Sequence, residues 1–153
     1  MSDRLYLLDT NILLLMMRAG DLGQHITEMY RLRDLEQRPL VCIVSHGEAR
    51  VMARRRSWGE EKRAALQNLL EEFTTVDINT HDVIEAYVDF TLVSQAHPAG
   101  ARNMGKNDLW IAACARAAGA RLLTTDGDLE HLIPEHLDGE VIDPAVVLGK
   151  DTD

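Results

Sequence analysis

An α/β fold in three layers, with helices on both faces of a central, mostly parallel sheet of four to five strands, is predicted by three features of the chain. Short apolar runs alternate with longer amphipathic segments. Polar helix-start residues follow the ends of those runs, and Gly or Pro punctuates the connections. A strand, a helix and a further strand of the same sheet must return the chain to the same edge, which makes neighbouring strands parallel.

Arg4 to Leu8 reads as the first strand and Thr10 to Arg18 as the helix after it. Gly20 and Gly23 break the pattern before a helix over Ile26 to Leu35, and Pro39 marks a boundary. Leu40 to Val44 reads as the second strand, and Ser45 opens a helix that runs through an arginine-rich segment to about Arg56. Ser57-Trp58-Gly59 separates it from a helix over Glu60 to Phe73. Thr74 to Ile78 follows as the third strand, Asp82 to Ala96 as a helix, and Pro98 and Gly100 open a loop. Asn107 begins an Ala-rich helix that ends at Gly119, Arg121 to Thr124 forms the fourth strand, and Glu140 to Ile142 a short fifth. No repeat interrupts this order, and residues 1–153 are expected to form one domain.

Lys and Arg total 16 against 25 Asp and Glu, a formal charge of −9. Long-range attraction to nucleic acid is not expected at that charge. It does not exclude nucleic acid, because binding of about two divalent ions would lower the charge to roughly −5 and let local basic patches dominate. Cys42 and Cys114 lack ligand or redox spacing and read as small buried apolar side chains, a usage that suits a reducing cytoplasm. The apolar run from Leu5 to Met17 is broken by Asp9, Thr10 and Asn11 and is shorter than the roughly 20 residues of a membrane span. Neither an export segment nor a membrane span is expected.

Four acidic stretches fall where a strand gives way to a helix: Leu7-Leu8-Asp9-Thr10-Asn11, Ser45-His46-Gly47-Glu48, Gly105-Lys106-Asn107-Asp108 and Leu123-Thr124-Thr125-Asp126-Gly127-Asp128. In parallel sheets that edge is where ligands bind. Each acid taken alone could serve the helix it precedes or begins. Ser45-x-x-Glu48 is a capping box in sequence, Asp9 and Asp126 can cap, and Asp108 can complement a helix dipole. Capping, however, needs only a small polar group. Two unit charges about 4 Å apart repel by roughly 1 kcal/mol in water and about 4 kcal/mol at an effective dielectric near 20. Several carboxylates at one edge therefore call for a counter-ion, and oxygen ligands without His or Cys partners select a hard ion, Mg²⁺ or Mn²⁺, over zinc. No HxH or HExxH pattern occurs among the six histidines, which are read as surface or capping residues.

Taken together, Leu-Leu-Asp9-Thr10-Asn11, Glu48, Gly105-Lys106-Asn107-Asp108-Leu-Trp-Ile-Ala-Ala and Leu-Leu-Thr124-Thr125-Asp126 resemble the PIN-domain ribonucleases, and most closely the VapC-type toxins of toxin–antitoxin pairs. The resemblance runs from Leu7 to about Leu132, with the motifs in the family's order. It implies Mg²⁺- or Mn²⁺-dependent endonucleolytic cleavage of RNA, leaving a 5'-phosphate and a 3'-hydroxyl. Asp9, Glu48, Asp108 and Asp126 would be the catalytic acids, and Asp9, Asp108 and Asp126 the metal ligands. Thr10, Asn11, Asn107 and Thr125 would orient the acids or the substrate. It further implies an antitoxin partner that inserts a peptide, often with an Arg, into the acidic pocket, and a homodimer; the apolar helix near Leu13 is compatible with such an interface. Two details depart from the pattern. Leu129 stands where an aromatic residue is common, and Asp128 offers a second acid beside Asp126, the favoured one.

Hydrolysis of a phosphodiester needs an activated water and stabilisation of charge on the phosphate, which carboxylate-held metal supplies without a protein nucleophile. RNA must also be held. Arg50, Arg54, Arg55, Arg56, Lys62 and Arg63 crowd a short stretch, with Arg54 and Arg55 the favoured contacts. On a helix Arg55 returns to the face of Glu48 about 10.5 Å along the axis. A solvated face with salt links to Glu60 and Glu61 is the plainer explanation of that run. Trp58 could stack on a base, although packing is the commoner role, and Trp110 reads as core. The run Leu13 to Met17 reads as a buried helix.

Three other readings share some of these features. A phosphatase of the haloacid-dehalogenase type would need a second acid two residues after Asp9, where this chain has Asn11. A response-regulator receiver would cluster acids near its start, where only Asp9 stands. A non-enzymatic module could use an acidic pocket for a basic peptide, and retention of all four acids argues against it.

Overall fold

The computed structural model describes residues 4–18 and 20–149. Five parallel strands, β1 (Tyr6–Leu8), β2 (Leu40–Cys42), β3 (Thr74–Val76), β4 (Arg121–Thr124) and β5 (Gly139–Val141), form one sheet in the order β3-β2-β1-β4-β5. β1 sits at the centre, with Leu8 in register with Val41 on one side and Leu123 on the other. Between the strands run α1 (Thr10–Met17), α2 (Asp21–Met29), α3 (Ile43–Arg55), α4 (Glu60–Glu71), α5 (His81–Gln95) and α6 (Lys106–Ala117), with α7 (Pro144–Val147) after β5. A 3₁₀ turn spans Gly127–Leu132. The predicted three layers and parallel sheet are both present.

Strand alternation divides the core between the two faces. Leu7 and Leu122 point to a cluster with Phe90 of α5 and Ile111 and Ala112 of α6. Leu8, Val41 and Leu123 point to the other, with Ile12 and Leu13 of α1, Ala49 of α3 and Leu70 of α4. Because both faces are covered at the centre of the sheet, β1, β2 and β4 read as nearly continuous apolar runs, whereas the edge strands β3 and β5 do not. Among the described residues no helix is long and apolar enough to cross a membrane.

Three expectations need correction. The helix expected over Ile26 to Leu35 instead occupies Asp21–Met29, with Gly23 inside it. That glycine is a packing residue: a Cβ there would lie 2.1 Å from the Leu15 carbonyl oxygen, so α2 can cross α1 only without a side chain. The second strand stops at Cys42, and α3 starts two residues earlier than Ser45, with Cys42 Sγ accepting the Val44 amide at 3.4 Å. The capping box is therefore not formed. In the helix around Leu13, Ile12 and Leu13 are fully buried in this chain's own core, while Leu15, Met16 and Met17 are half-buried. The cysteines behave as expected: both are buried and unbridged, and the Cys114 thiol donates to Cys42 Sγ at 3.3 Å.

Candidate metal centre

Asp9 leaves β1 at its carboxyl end and turns directly into α1. Its Oδ1 accepts the Thr10 amide at 2.7 Å, so the capping role anticipated for it is real. Its other oxygen accepts the Thr124 hydroxyl at 2.7 Å and Asn11 Nδ2 at 3.4 Å. Only 3% of the residue is exposed. Burial pushes its carboxyl up from 3.8 to about 6; the Thr124 and Thr10 hydrogen bonds oppose this, and Glu48 and Asp126 add repulsion.

Glu48 lies one and a half turns into α3, where the early start of that helix turns Ser45 inward and Glu48 towards α1. Thr10 Oγ1 donates to Glu48 Oε1 at 2.7 Å and stands 2.8 Å from the buried Ser45 hydroxyl. Asn107 Nδ2 donates to Glu48 Oε2 at 3.2 Å, which ties the start of α6 to α3. Asp108, next in α6, is half-buried. Burial raises its carboxyl from 3.8 to about 6, and repulsion from Asp9, Asp126, Glu48 and Asp128 follows in that order.

Asp126 follows β4. Its amide donates to Thr124 Oγ1 at 3.0 Å, and its Oδ1 caps the 3₁₀ turn by accepting the Asp128 amide at 2.9 Å. It repels both Asp9 and Asp108, whereas Asp128 acts on Asp108 alone. That difference supports Asp126 over Asp128 as the member of the group. The Thr125 amide donates to Asn11 Oδ1 at 3.3 Å, so Asn11 bridges β1 and β4.

A cavity of about 780 Å³ opens at this edge. Asp9, Thr10, Asn11, Glu48, Asn107 and Asp108 form its acidic side; Leu14, Val44, Val51 and Met52 form an apolar wall; Arg55 and Arg56 stand on its rim. Asp126 lies outside this lining. Arg55 shares the face of Glu48, as its spacing predicts, whereas Arg54 turns to a separate groove with Arg50 and Arg63.

Could these residues hold a hard cation? Among the described residues no three acidic, His or Cys side chains close into a ready-made cage. Mg²⁺ does not need one: it keeps several waters and takes one or two carboxylates directly. The donor set is all oxygen, among the described residues no Lys or Arg is ion-paired to any of the four acids, and the repulsion on Asp9 and Asp108 is left to be neutralised. The set fits Mg²⁺ or Mn²⁺.

Thr124 is a site residue that no motif role predicted, while Ser45 and Arg56 stand at the site in roles other than helix capping and general basicity. Thr124 is fully buried and touches Asp9, Asn11 and Asp126. A threonine closing the apolar run Leu122-Leu123 was the available signal. Leu129, in the usual place of an aromatic residue, is fully buried in the core. His46 bonds Thr75 Oγ1 at 2.9 Å and His131 bonds Ser94 Oγ at 2.8 Å, outside the cavity. Trp58 packs on the core under Lys62, whose Nζ is 4.1 Å from the ring centroid, and Trp110 stacks on Tyr87 at 3.9 Å. Neither ring is free to receive a base.

The sequence profile of the PIN domain matches residues 6–133. The chain belongs to the PIN-domain family. Asp9, Glu48, Asp108 and Asp126 all lie within the matched span, and the nuclease character of PIN domains supports a hydrolase of that class. No curated protein matches the chain at a significant level. Among solved structures, VapBC2 from Rickettsia felis, bound to a promoter DNA fragment, is similar at 22% identity and a TM-score of 0.70, covering 89% of this chain and 97% of that one. DNA-bound VapBC from Salmonella typhimurium is similar at 19% identity and a TM-score of 0.70, covering 90% and 97%. FitAcB from Neisseria gonorrhoeae is similar at 18% identity and a TM-score of 0.68, covering 92% and 98%. At these identities the likeness establishes a shared PIN fold.

Proposed function

We propose that this PIN domain is a Mg²⁺- or Mn²⁺-dependent endoribonuclease that acts as the toxin of a toxin–antitoxin pair. One observation carries the chemistry: a buried Asp9 and a half-buried Asp108, both pushed up to about 6, stand beside Glu48 and Asp126, and among the described residues no cationic side chain is paired to any of them.

Asp9, Asp108 and Asp126 would hold the metal, and Glu48 completes the catalytic set. When bound, the ion lowers the pKa of a coordinated water and stabilises charge on the phosphate as a Lewis acid. The chain supplies position. Thr124 and the Thr10 amide fix Asp9, Thr10 and Asn107 fix the two oxygens of Glu48, and Asn11 locks β1 to Thr125. Asn11 donates to Asp9, so it cannot supply the general acid a phosphatase of the dehalogenase type requires. Arg55 and Arg56 on the rim, and Arg54 beyond it, would hold RNA phosphates.

The antitoxin is proposed on the toxin–antitoxin complexes named among the similar structures: VapBC2 and VapBC. A peptide bearing an Arg would meet acids and an apolar wall in the same cavity. A homodimer is also proposed, through α5, where Ile84, Val88 and Leu92 are exposed at four-residue spacing. The site of action would be the cytoplasm.

Cleavage of total RNA tests the reading. Wild type should cut with Mg²⁺ or Mn²⁺, leave 5'-phosphates and stop in chelator, while Asp9→Asn and Asp108→Asn should not cut. An inert wild type that binds a basic peptide tightly would replace the nuclease by a binding module.

A further inference from the structure

Resting on the ribonuclease reading, we infer that the groove between α3 and α4 is a second anion site that grips the backbone of the substrate RNA away from the catalytic pocket. The groove encloses about 380 Å³ and is lined by Arg50 and Arg54 of α3 and by Glu60, Arg63, Ala64 and Gln67 of α4. Arg50 and Arg54 are one helical turn apart, as are Arg63 and Gln67 opposite them, so three guanidinium groups converge against a single carboxylate.

The fold does not neutralise them. Four other arginines, Arg4, Arg33, Arg116 and Arg121, are ion-paired, whereas among the described residues none of the groove arginines stands within 4.0 Å of a carboxylate. The salt links to Glu60 and Glu61 that would make this run an ordinary solvated face are not formed. What sets these three apart from the chain's other arginines is that they line one groove whose lining holds a single acid, Glu60.

Helix dipoles explain only part of it. Arg54 lies in the last turn of α3, where a cation is favourable. Arg50 is in the middle of that helix, and Arg63 is in the first turn of α4, the end at which a positive charge is unfavourable. Neither is there to support its helix. An external anion would offset the unfavourable position of Arg63 and give Arg50 a partner.

Continuity with the catalytic cavity identifies that anion. Arg55 and Arg56 follow Arg54 directly and line the acidic cavity, so the end of α3 forms a wall common to both grooves. From Glu48 to Arg54 the helix rises about 9 Å. A lone phosphate or carboxylate could fill one groove; a strand with a charge on every residue can leave the cavity past Arg55 and Arg56 and continue to Arg54, Arg50 and Arg63. Single-stranded RNA has that chemistry. The groove then contributes binding and leaves the chemical step alone.

The test uses Arg50→Gln/Arg63→Gln, two exposed changes whose folding is checked by melting temperature. Affinity for a fluorescein-labelled, mixed-sequence single-stranded RNA is measured by anisotropy across a KCl series with Mg²⁺, in an Asp108→Asn background that prevents cutting. Loss of two phosphate contacts should weaken binding about tenfold at low salt and flatten the log–log salt slope by about 1.4. In the cleaving background, KM should rise in the same proportion with kcat unchanged. Unchanged affinity, slope and KM in a folded variant would overturn the groove while leaving the nuclease reading intact. So would weakened binding of an acidic protein partner with RNA affinity retained. Wild type that cuts no RNA defeats the nuclease reading, a separate result; if it also binds no RNA, the groove falls with it.

Discussion

Thr124 Oγ1 lies 2.7 Å from Asp9 Oδ2, joining the carboxyl ends of two neighbouring strands inside the core. Since Thr124 also accepts the Asp126 amide at 3.0 Å, one hydroxyl sets the position of two acids that repel each other.

Removing that hydroxyl should cost more than its size implies. Thr124→Val keeps the shape and takes from a buried carboxylate the shorter of the two hydrogen bonds to its Oδ2, a loss of about 1.5–3 kcal/mol for a hydrogen bond to a charged group. RNA cleavage should fall at least tenfold, with RNA affinity retained. Thr124→Ser should restore most of both. Equal activity in the Val and Thr proteins would remove Thr124 from the site.

Buried, and secondarily crowded, carboxylates should make the metal-free protein less stable as pH rises. Asp9 and Asp108 have folded values of about 6 against 3.8 for the free group, so the folded state binds protons more tightly. Stability is therefore greatest below about pH 4, declines as pH rises through about 6 and is level above that. For buried Asp9 alone, the shift from 3.8 to about 6 corresponds to about 3 kcal/mol. Urea unfolding in chelator from pH 4 to 8 should trace this decline, and Asp9→Asn should flatten it. Metal affinity should run the other way and weaken below pH 6, where protons compete for the same oxygens.

A bound ion reverses the repulsion. With free Mg²⁺ or Mn²⁺ near a hundred times its dissociation constant, the folded state should gain about 2.7 kcal/mol. Asp108→Asn should raise the melting temperature in chelator and abolish the metal-induced rise. A metal response that survives the substitution would take Asp108 out of the site.

Most of the site was legible because its acids cannot all be explained by capping, while their exact surroundings were not. Asp9 and Asp126 do cap, yet each also joins the charged group, so the two readings of these residues coexist. Glu48 lies deeper in its helix than the first turn expected for it, because α3 begins at Ile43. Ser45-x-x-Glu48 has the spacing of a capping box, but apolar Ile43 and Val44 already belong to α3, and the pair meets Thr10 across the sheet edge. That long-range contact leaves no local pattern. Nor does the crossing of α1 and α2, which turned Gly23 from an apparent helix breaker into a helix residue.

Gly23 itself offers a test of the fold. Alanine is better than glycine in a helix by about 1 kcal/mol, which by itself would stabilise Gly23→Ala. The new methyl would sit 2.1 Å from the Leu15 carbonyl, a contact with backbone that cannot simply turn away. The variant should melt lower than wild type. A higher melting temperature would mean that α1 and α2 do not cross this closely.

The exposed stripe on α5 predicts the oligomeric state. Leu92 is 58% exposed, so Leu92→Glu has little to disrupt within the chain. Sedimentation should show a dimer for wild type and a monomer for the variant at unchanged melting temperature. A dimer that survives the change would place the interface elsewhere.

Direct titration with Mn²⁺, following free ion by its paramagnetic resonance, addresses the convergence of the four acids most directly. Wild type should take up the ion with an affinity that Asp9→Asn, Glu48→Gln, Asp108→Asn and Asp126→Asn each weaken, while a distant change such as Asp82→Asn does not. Uptake that is absent from wild type, or indifferent to all four substitutions, would contradict a shared metal centre.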